Sequence, residues 1–412
     1  MPCILKEPTQ NSPGIVSFTH NEALWGVPSH SRRARAFLAE GAASGKWLFG
    51  VHVQGDLSWL DRWPLQPWQS FFLWPDPAAP FLANIPREMR LDRNCINFMP
   101  RPAPRPAGMG RNVDICVISR PNTLKRLYES LKIIKGLMQV RPGLTATIIA
   151  GDPRRVELGS RTYEKQGIDR RFYQFAQQHF SARELTQISF LCSSEQAFGK
   201  FPLARELVND IIMRSRFMML NSHQEGTPRV IAEAFLAETP CILSRHLASG
   251  IRAQTTAANS VFIEDDTAVA VAEISDALDH YDRYQIDLAA MRDLFCEDTH
   301  IPELREWLSR KIAAKGSPVE GRWFLNDLHM RLACHGQKLN LQIMNREALF
   351  FRWFGQVDGG PGRVPGAYDP YDEDAVFGGY DPDDTPRGLQ RPVVRSARVL
   401  GARVLRKLGL GS

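Results

Sequence analysis

Between Val113 and about Ala313, short apolar runs alternate with amphipathic stretches of helical length. "VDICVIS" precedes "NTLKRLYESLKIIKGLMQV", "LTATIIAG" precedes "YEKQGIDRRFYQFAQQHF", and "TQISFLC" precedes "PLARELVNDIIMRS". "FMMLNS" then precedes "PRVIAEAFLAE", and the runs "PCILS" and "SVFIE" precede "AVAVAEISDALDHY". A short, continuous apolar run reads as a buried strand, and an apolar period of about 3.6 residues as a helix. Their alternation predicts βαβ units and a parallel sheet covered on both faces. Ligands of such sheets sit at the carboxyl ends of the strands.

The pattern is different on either side. "PRPAPRPAGMG", from Pro100 to Gly110, is too rich in Pro and Gly for a helix or a central strand and predicts a linker over 100–111. Before it, residues 1–99 hold a strand "GIVSFTH", a helix "SRRARAFLAEG" capped by Ser29 or Ser31, a strand "KWLFGVHVQ" and a late strand "CINFMP". This is a second, smaller α/β unit. The parallel-sheet domain spans 112–315, and a mixed helical stretch follows over 316–357. The repeats "GAYDPYD" and "GGYDPDD" mark 358–390 as an acidic, low-complexity spacer.

Composition narrows the classes. A chain of 412 residues is long for one core, which agrees with two domains plus an appendage. Seven scattered cysteines, with no CxxC pair and no histidine at metal-ligand spacing, point to reduced thiols and predict no structural metal. The start "MPCILKEPTQ" lacks the features of a signal peptide, and no apolar run is long enough to span a bilayer, so the expected location is cytoplasmic. A net charge of +6 without a nucleic-acid-binding motif predicts no nucleic-acid partner.

Candidate chemistry centres on "EGTPRVIAE", Glu225 to Glu233, directly after the strand "FMMLNS". Thr227 can cap a helix whose first position is Pro228, where the missing N–H costs nothing. The unpaired first amides of that helix would then face the carboxyl edge of the sheet and suit a phosphate. Two carboxylates do not belong on that phosphate, so Glu225 and Glu233 are expected to accept from neutral hydroxyls on either side of it. Hydroxyls flanking a diphosphate describe a nucleotide sugar. The plainer alternative is two solvated glutamates on an ordinary βα crossover. In "SRPNTLKR", after the first strand of the same domain, Arg120 and Lys125 could neutralise a diphosphate leaving group without a metal, or could simply form a solvated basic turn.

Together, "SRPNTLKR" and "SHQEGTPRVIAEAFLAETPCILS" resemble the retaining GT-B glycosyltransferases of family 4, the group 1 family. In that family a strand is followed by Gly-Arg and, five residues on, Lys-Gly, and later by an E-x7-E element. Here Ser119 and Arg126 stand where the family has the two glycines, and Glu238-Thr239 where it often has another. The resemblance covers about 200 residues. It implies a GT-B fold of two Rossmann-like domains, with the amino-terminal one abbreviated and lacking the usual Gly-Gly loop, plus a carboxyl-terminal extension. It also implies catalytic roles for Arg120, Lys125 and Glu225, donor-phosphate contacts along the segment Gly226, Thr227, Pro228, Arg229 and Val230, ribose binding by Glu233, and no cofactor or metal. The donor would be a nucleotide sugar. The acceptor would be a carbohydrate or lipid-linked molecule of cell-envelope or exopolysaccharide synthesis. A catalytically inactive binding or scaffold protein, and another nucleotide-sugar enzyme such as an epimerase, are the alternatives.

Members of the family often carry a histidine on the acceptor side, for which His20 and His52 are the candidates. Trp59, Trp63, Trp68 and Trp74, among prolines, could stack on sugar rings or fill a core. "VFIEDDTAV" reads as strand, turn and helix cap rather than as a metal site. Finally, 391–412 winds into a helix with Val393, Val394, Ala397, Leu400, Val404, Leu405 and Leu408 on one face and basic residues on the other. Docking on the protein's own surface is one expectation for it. On a flexible spacer, an anionic membrane surface is the favoured one.

Overall fold

The computed structural model describes residues 2–53, 57, 60–74, 79–91, 99–119, 123–150, 175–176, 178–192, 203–225, 228–325, 328 and 347–357. Met1–Phe351 forms one compact unit; a second, Arg352–Ser412, is described only over 352–357, which are helical. The helix expected over "YEKQGIDRR" before Phe175, the spacer and the basic tail lie outside the described residues.

The first sheet contains β1 (Cys3–Lys6), β2 (Gly14–Thr19), β3 (Trp47–His52) and β4 (Gln69–Leu73), in that order. β2, β3 and β4 are parallel, and β1 is antiparallel to β2. Every residue of β3 is buried, which is why its sequence is apolar up to the terminal His52. The helix Arg32–Ala43 links β2 to β3. Of the two proposed caps Ser31 serves, its Oγ accepting from the Ala34 amide at 3.1 Å. Gly50 admits no side chain, since a Cβ there would lie 2.1 Å from the ring of Phe71 on β4.

β1 and β4 were not legible in the pattern. β4 follows Pro64 and Pro67, which end regular structure just before it. The tryptophans around it fill the core: Trp63 and Trp68 are 1% exposed and Trp74 8%. Trp63 Nε1 donates to Gln69 Oε1 at 3.0 Å, and Trp68 stands edge-on to Phe18. Burial removes these three from sugar stacking; Trp59 lies outside the described residues. Of "CINFMP", only the end is described, and Met99 forms an isolated parallel bridge with Cys296.

The second sheet contains β5 (Val113–Ile118), β6 (Ala146–Ala150), β7 (Ile188–Cys192), β8 (Ser215–Leu220), β9 (Cys241–Ser244) and β10 (Ser260–Ile263). All neighbours are parallel and the order is β10-β9-β8-β5-β6-β7. The first strand is therefore central, and the chain winds outward from it in both directions, as in a doubly wound Rossmann sheet. Helices Leu127–Val140 and Thr267–Asp279 cover one face through Leu131, Ile134, Leu137, Ala270 and Ile274. Helices Arg205–Met213, Arg229–Leu236 and Leu288–Phe295 cover the other through Ile212, Ile231, Phe235 and Phe295. The α/β class follows the alternation in the sequence, with a fully parallel second sheet and a first sheet that is parallel except for β1.

Helix Glu297–Ala313, with Leu304, Leu308 and Ile312 fully buried, leads from the second sheet back to the first. Beyond it, the Phe324 amide donates to Leu5 O at 2.9 Å, adding a short segment to the edge at β1. Cys116, Cys241 and Cys296 are buried thiols. Among the described residues no helix is long and apolar enough to cross a membrane.

Candidate active site

A doubly wound sheet has one place where successive connections leave in opposite directions, and the loops there part to form a crevice. Here it lies between the carboxyl ends of β5 and β8, adjacent strands whose following helices cover opposite faces. Lys125 comes from the loop after β5, in a 3-10 turn Thr123–Lys125, and Glu225 from the loop after β8. Lys125 Nζ donates to Glu225 Oε1 and Oε2, each at 2.5 Å. The Glu225 side chain is 9% exposed and that of Lys125 24%, so the pair is sheltered yet reachable. The Glu225 backbone is held too, its amide donating to Ala248 O at 3.0 Å.

The structure thus brings together two of the residues singled out from sequence. Arg120, Gly226 and Thr227 lie outside the described residues. Pro228 has extended geometry (φ −70°, ψ 109°) and caps the helix, which runs Arg229–Leu236 and begins one residue later than expected. Val230 is part-buried and packs on the neighbouring core, whereas Arg229 turns its guanidinium toward Met99 Sδ, 3.8 Å away. Glu233 lies one turn along the same helix from Arg229. Burial pushes its carboxyl above the usual range, with Arg229 and Arg205 opposing that rise, and it has no hydrogen-bond partner among the described residues. Such a carboxylate can accept from a ligand's hydroxyls.

Both acceptor-side candidates are buried. His52 ends β3 with no exposed surface, its Nδ1 2.8 Å from Ser17 Oγ, and His20 opens the helix His20–Trp25 behind a Thr19 cap. Neither ring stands open to a substrate.

Two departures from the glycine pattern have a backbone counterpart. Among the described residues, Arg126 (φ 50°) and Glu238 (φ 56°) are the two non-glycine residues at positive φ. The backbone keeps the left-handed conformation that glycine adopts without strain, although these residues carry side chains. At Glu238 the carbonyl accepts from the part-buried Arg111 guanidinium, which also donates to Ser215 O at 2.5 Å and Thr239 Oγ1 at 2.8 Å.

A group of residues missed from sequence adjoins the pair. Arg126 donates to Asp265 Oδ1 and touches His223 Nε2, and His223 Nε2 lies 2.8 Å from Asp265 Oδ1. His246 stands edge-on to His223, ring centroids 5.5 Å apart. Asp265 was legible only as part of a turn, while Asp266 caps the following helix as expected, accepting from the Ala268 and Val269 amides. The available signal was position: His223, His246 and Asp265 each fall two or three residues past the end of a parallel strand. Among the described residues no group of three or more His, Cys, Asp or Glu side chains could hold a metal ion.

No protein-family model and no curated protein matches the sequence. Among solved structures, the chain is similar to HepE from Anabaena in complex with UDP and glucose, at 17% identity over 68% of this chain and 76% of that one, with a TM-score of 0.45. It is also similar to the pneumococcal O-GlcNAc transferase GtfA in complex with UDP and GlcNAc, at 11% identity over 68% and 55%, TM-score 0.46. A third is a UDP-forming trehalose-phosphate synthase from Burkholderia xenovorans, at 14% identity over 68% and 71%, TM-score 0.45. These likenesses are distant, and the chemistry assigned to the site rests on its own residues.

Proposed function

We propose that the protein is a GT-B-type glycosyltransferase that moves a sugar from a nucleotide-sugar donor to a carbohydrate or lipid-linked acceptor, with retention at the anomeric carbon. The observation that carries this reading is the Lys125–Glu225 pair at the switch point of a doubly wound sheet. The Lys125 ammonium is a compact cation at the edge where the donor diphosphate would lie, and it can exchange partners for a phosphate oxygen. Lys125 and Arg120 offset the charge that grows on the departing diphosphate, Glu225 orients hydroxyls of the sugar, and Glu233 accepts from the ribose. The acceptor hydroxyl attacks from the face the diphosphate leaves, and a phosphate oxygen takes its proton. That route needs no protein base and no divalent cation. The tail 391–412 would hold the enzyme on the anionic cytoplasmic face of a membrane where lipid-linked acceptors of cell-envelope synthesis lie.

Buried His20 and His52 favour one second reading, a protein that binds nucleotide sugars without transferring them. Incubation with a panel of nucleotide sugars and candidate acceptors separates the two. Release of nucleoside diphosphate supports transfer. Saturable binding without release supports the second reading, and neither binding nor release contradicts both.

A further inference from the structure

Arg126 has a side chain at a strained left-handed position, so something must hold it there. Its guanidinium spans three loops at the carboxyl edge of the second sheet. It sits next to Lys125 on the loop after β5, bonds Asp265 after β10, and touches His223, two residues before Glu225, after β8. The β8 loop is further tied to the β9 loop, with Ala248 N donating to His223 O at 2.7 Å and Glu225 N to Ala248 O. The side chain of Arg126 is 17% exposed, whereas those of His223 and Asp265 are 42% and 45% exposed and reachable by solvent protons.

We propose that Arg126 is a positioning residue that sets the spacing of Lys125 and Glu225 through Asp265 and neutral His223, and that protonation of His223 undoes this link. The proposal rests on the glycosyl-transfer reading for its effect on turnover. With His223 neutral, Nε2 accepts from the Arg126 guanidinium. A proton taken from solvent onto Nε2 removes that acceptor, places two cations in contact, and turns Nε2 into a donor to Asp265 Oδ1, already 2.8 Å away. Asp265 then serves His223 at the expense of Arg126. The groups facing His223 are Arg126 after β5, Glu129 on helix Leu127–Val140, His246 after β9 and Asp265 after β10; Glu264 in turn lies 3.8 Å from His246. Burial, then Arg126, hold the His223 imidazolium below its ordinary range, with His246 adding to this and Asp265 and Glu129 opposing it. The link is therefore closed at neutral pH and opens in acid.

The test compares wild type with Arg126→Gly, Arg126→Lys and His223→Gln in the full chain. Lys125 is observed by NMR after reductive ¹³C-methylation, and turnover is followed against pH. Arg126→Gly should melt no lower than wild type, because glycine suits the backbone, yet lose on the order of 10- to 100-fold in kcat, the scale of an ångström's misplacement. Its Lys125 resonance should shift, and Arg126→Lys should recover part of the kcat. In wild type, the Lys125 resonance and kcat should share an acid inflection that His223→Gln removes. An unaltered Lys125 resonance in Arg126→Gly, or an inflection that survives His223→Gln, overturns the proposal. Should wild type prove unable to transfer sugar, the resonance alone decides, so failure of the transfer reading and failure of this one are told apart.

Discussion

Lys125 Nζ lies 2.5 Å from both carboxylate oxygens of Glu225, a residue one hundred positions further along the chain. The pair spans the gap between the loops after β5 and β8, where a diphosphate could replace part of the contact. Replacing Lys125 by Ala, or Arg120 by Ala, is expected to lower turnover by about 10²-fold or more, as for groups acting on transition-state charge. Nucleoside diphosphate release is the measurement. Wild-type rates in a folded Arg120→Ala, Lys125→Ala double variant would contradict the assignment.

Glu233 gives a prediction with opposite signs for stability and binding. Its carboxyl is raised in the folded state, so its favourable contribution is present at low pH and is lost as pH rises through the folded value. Glu233→Gln removes that loss. It should melt above wild type at neutral pH, with the gap closing on acidification below about pH 4, where the unfolded carboxyl is also protonated. The same change should weaken nucleotide-sugar binding about 10-fold or more, since hydrogen bonds to a charged acceptor are lost. Calorimetry of unfolding and of binding checks the two halves.

Glu238 at φ 56° is strained, and its contact to Arg111 uses the backbone carbonyl, which any residue supplies. Glu238→Gly is therefore expected to stabilise the fold by about 1 kcal/mol. A raised urea midpoint with an unchanged m-value is the expected outcome.

Gly50 sits under the ring of Phe71. Gly50→Ala should destabilise by about 1–3 kcal/mol, the range for overpacking a filled core. A double variant with a smaller residue at Phe71 should recover part of the loss if the clash is the cause, and chemical denaturation measures both.

The basic tail 391–412 is expected to bind vesicles containing anionic lipid, each Lys or Arg near the surface adding about 1 kcal/mol. Sedimentation should recover the full chain with such vesicles and leave a chain ending before Gly388 in the supernatant. Equal recovery of both rules the tail out as the anchor.

Sequence by itself determined the elements whose signal is local. The six apolar runs from "VDICVIS" to "SVFIE" became six parallel strands, because the inner strands of a sheet covered on both faces must be largely apolar. Ser31 and Asp266 announced their helices by supplying a side-chain oxygen to unpaired amides nearby in the chain. Lys125 and Glu225 stood out as candidates through the residues around them, but their contact belongs to the fold.

What the tertiary structure decided is everything that depends on which chain segments become neighbours. β4 is recognisable as a strand only once β3 pairs with it, and Trp63 and Trp68 as core only once Phe72 and Phe18 close over them. His52 ends a strand as expected, but burial against Ser17, a contact across 35 residues, encloses it. Arg126, His223, His246 and Asp265 carry no shared spacing. They meet because β5, β8, β9 and β10 all point the same way, and parallel strands deliver the loops that follow them to one edge regardless of their distance in sequence.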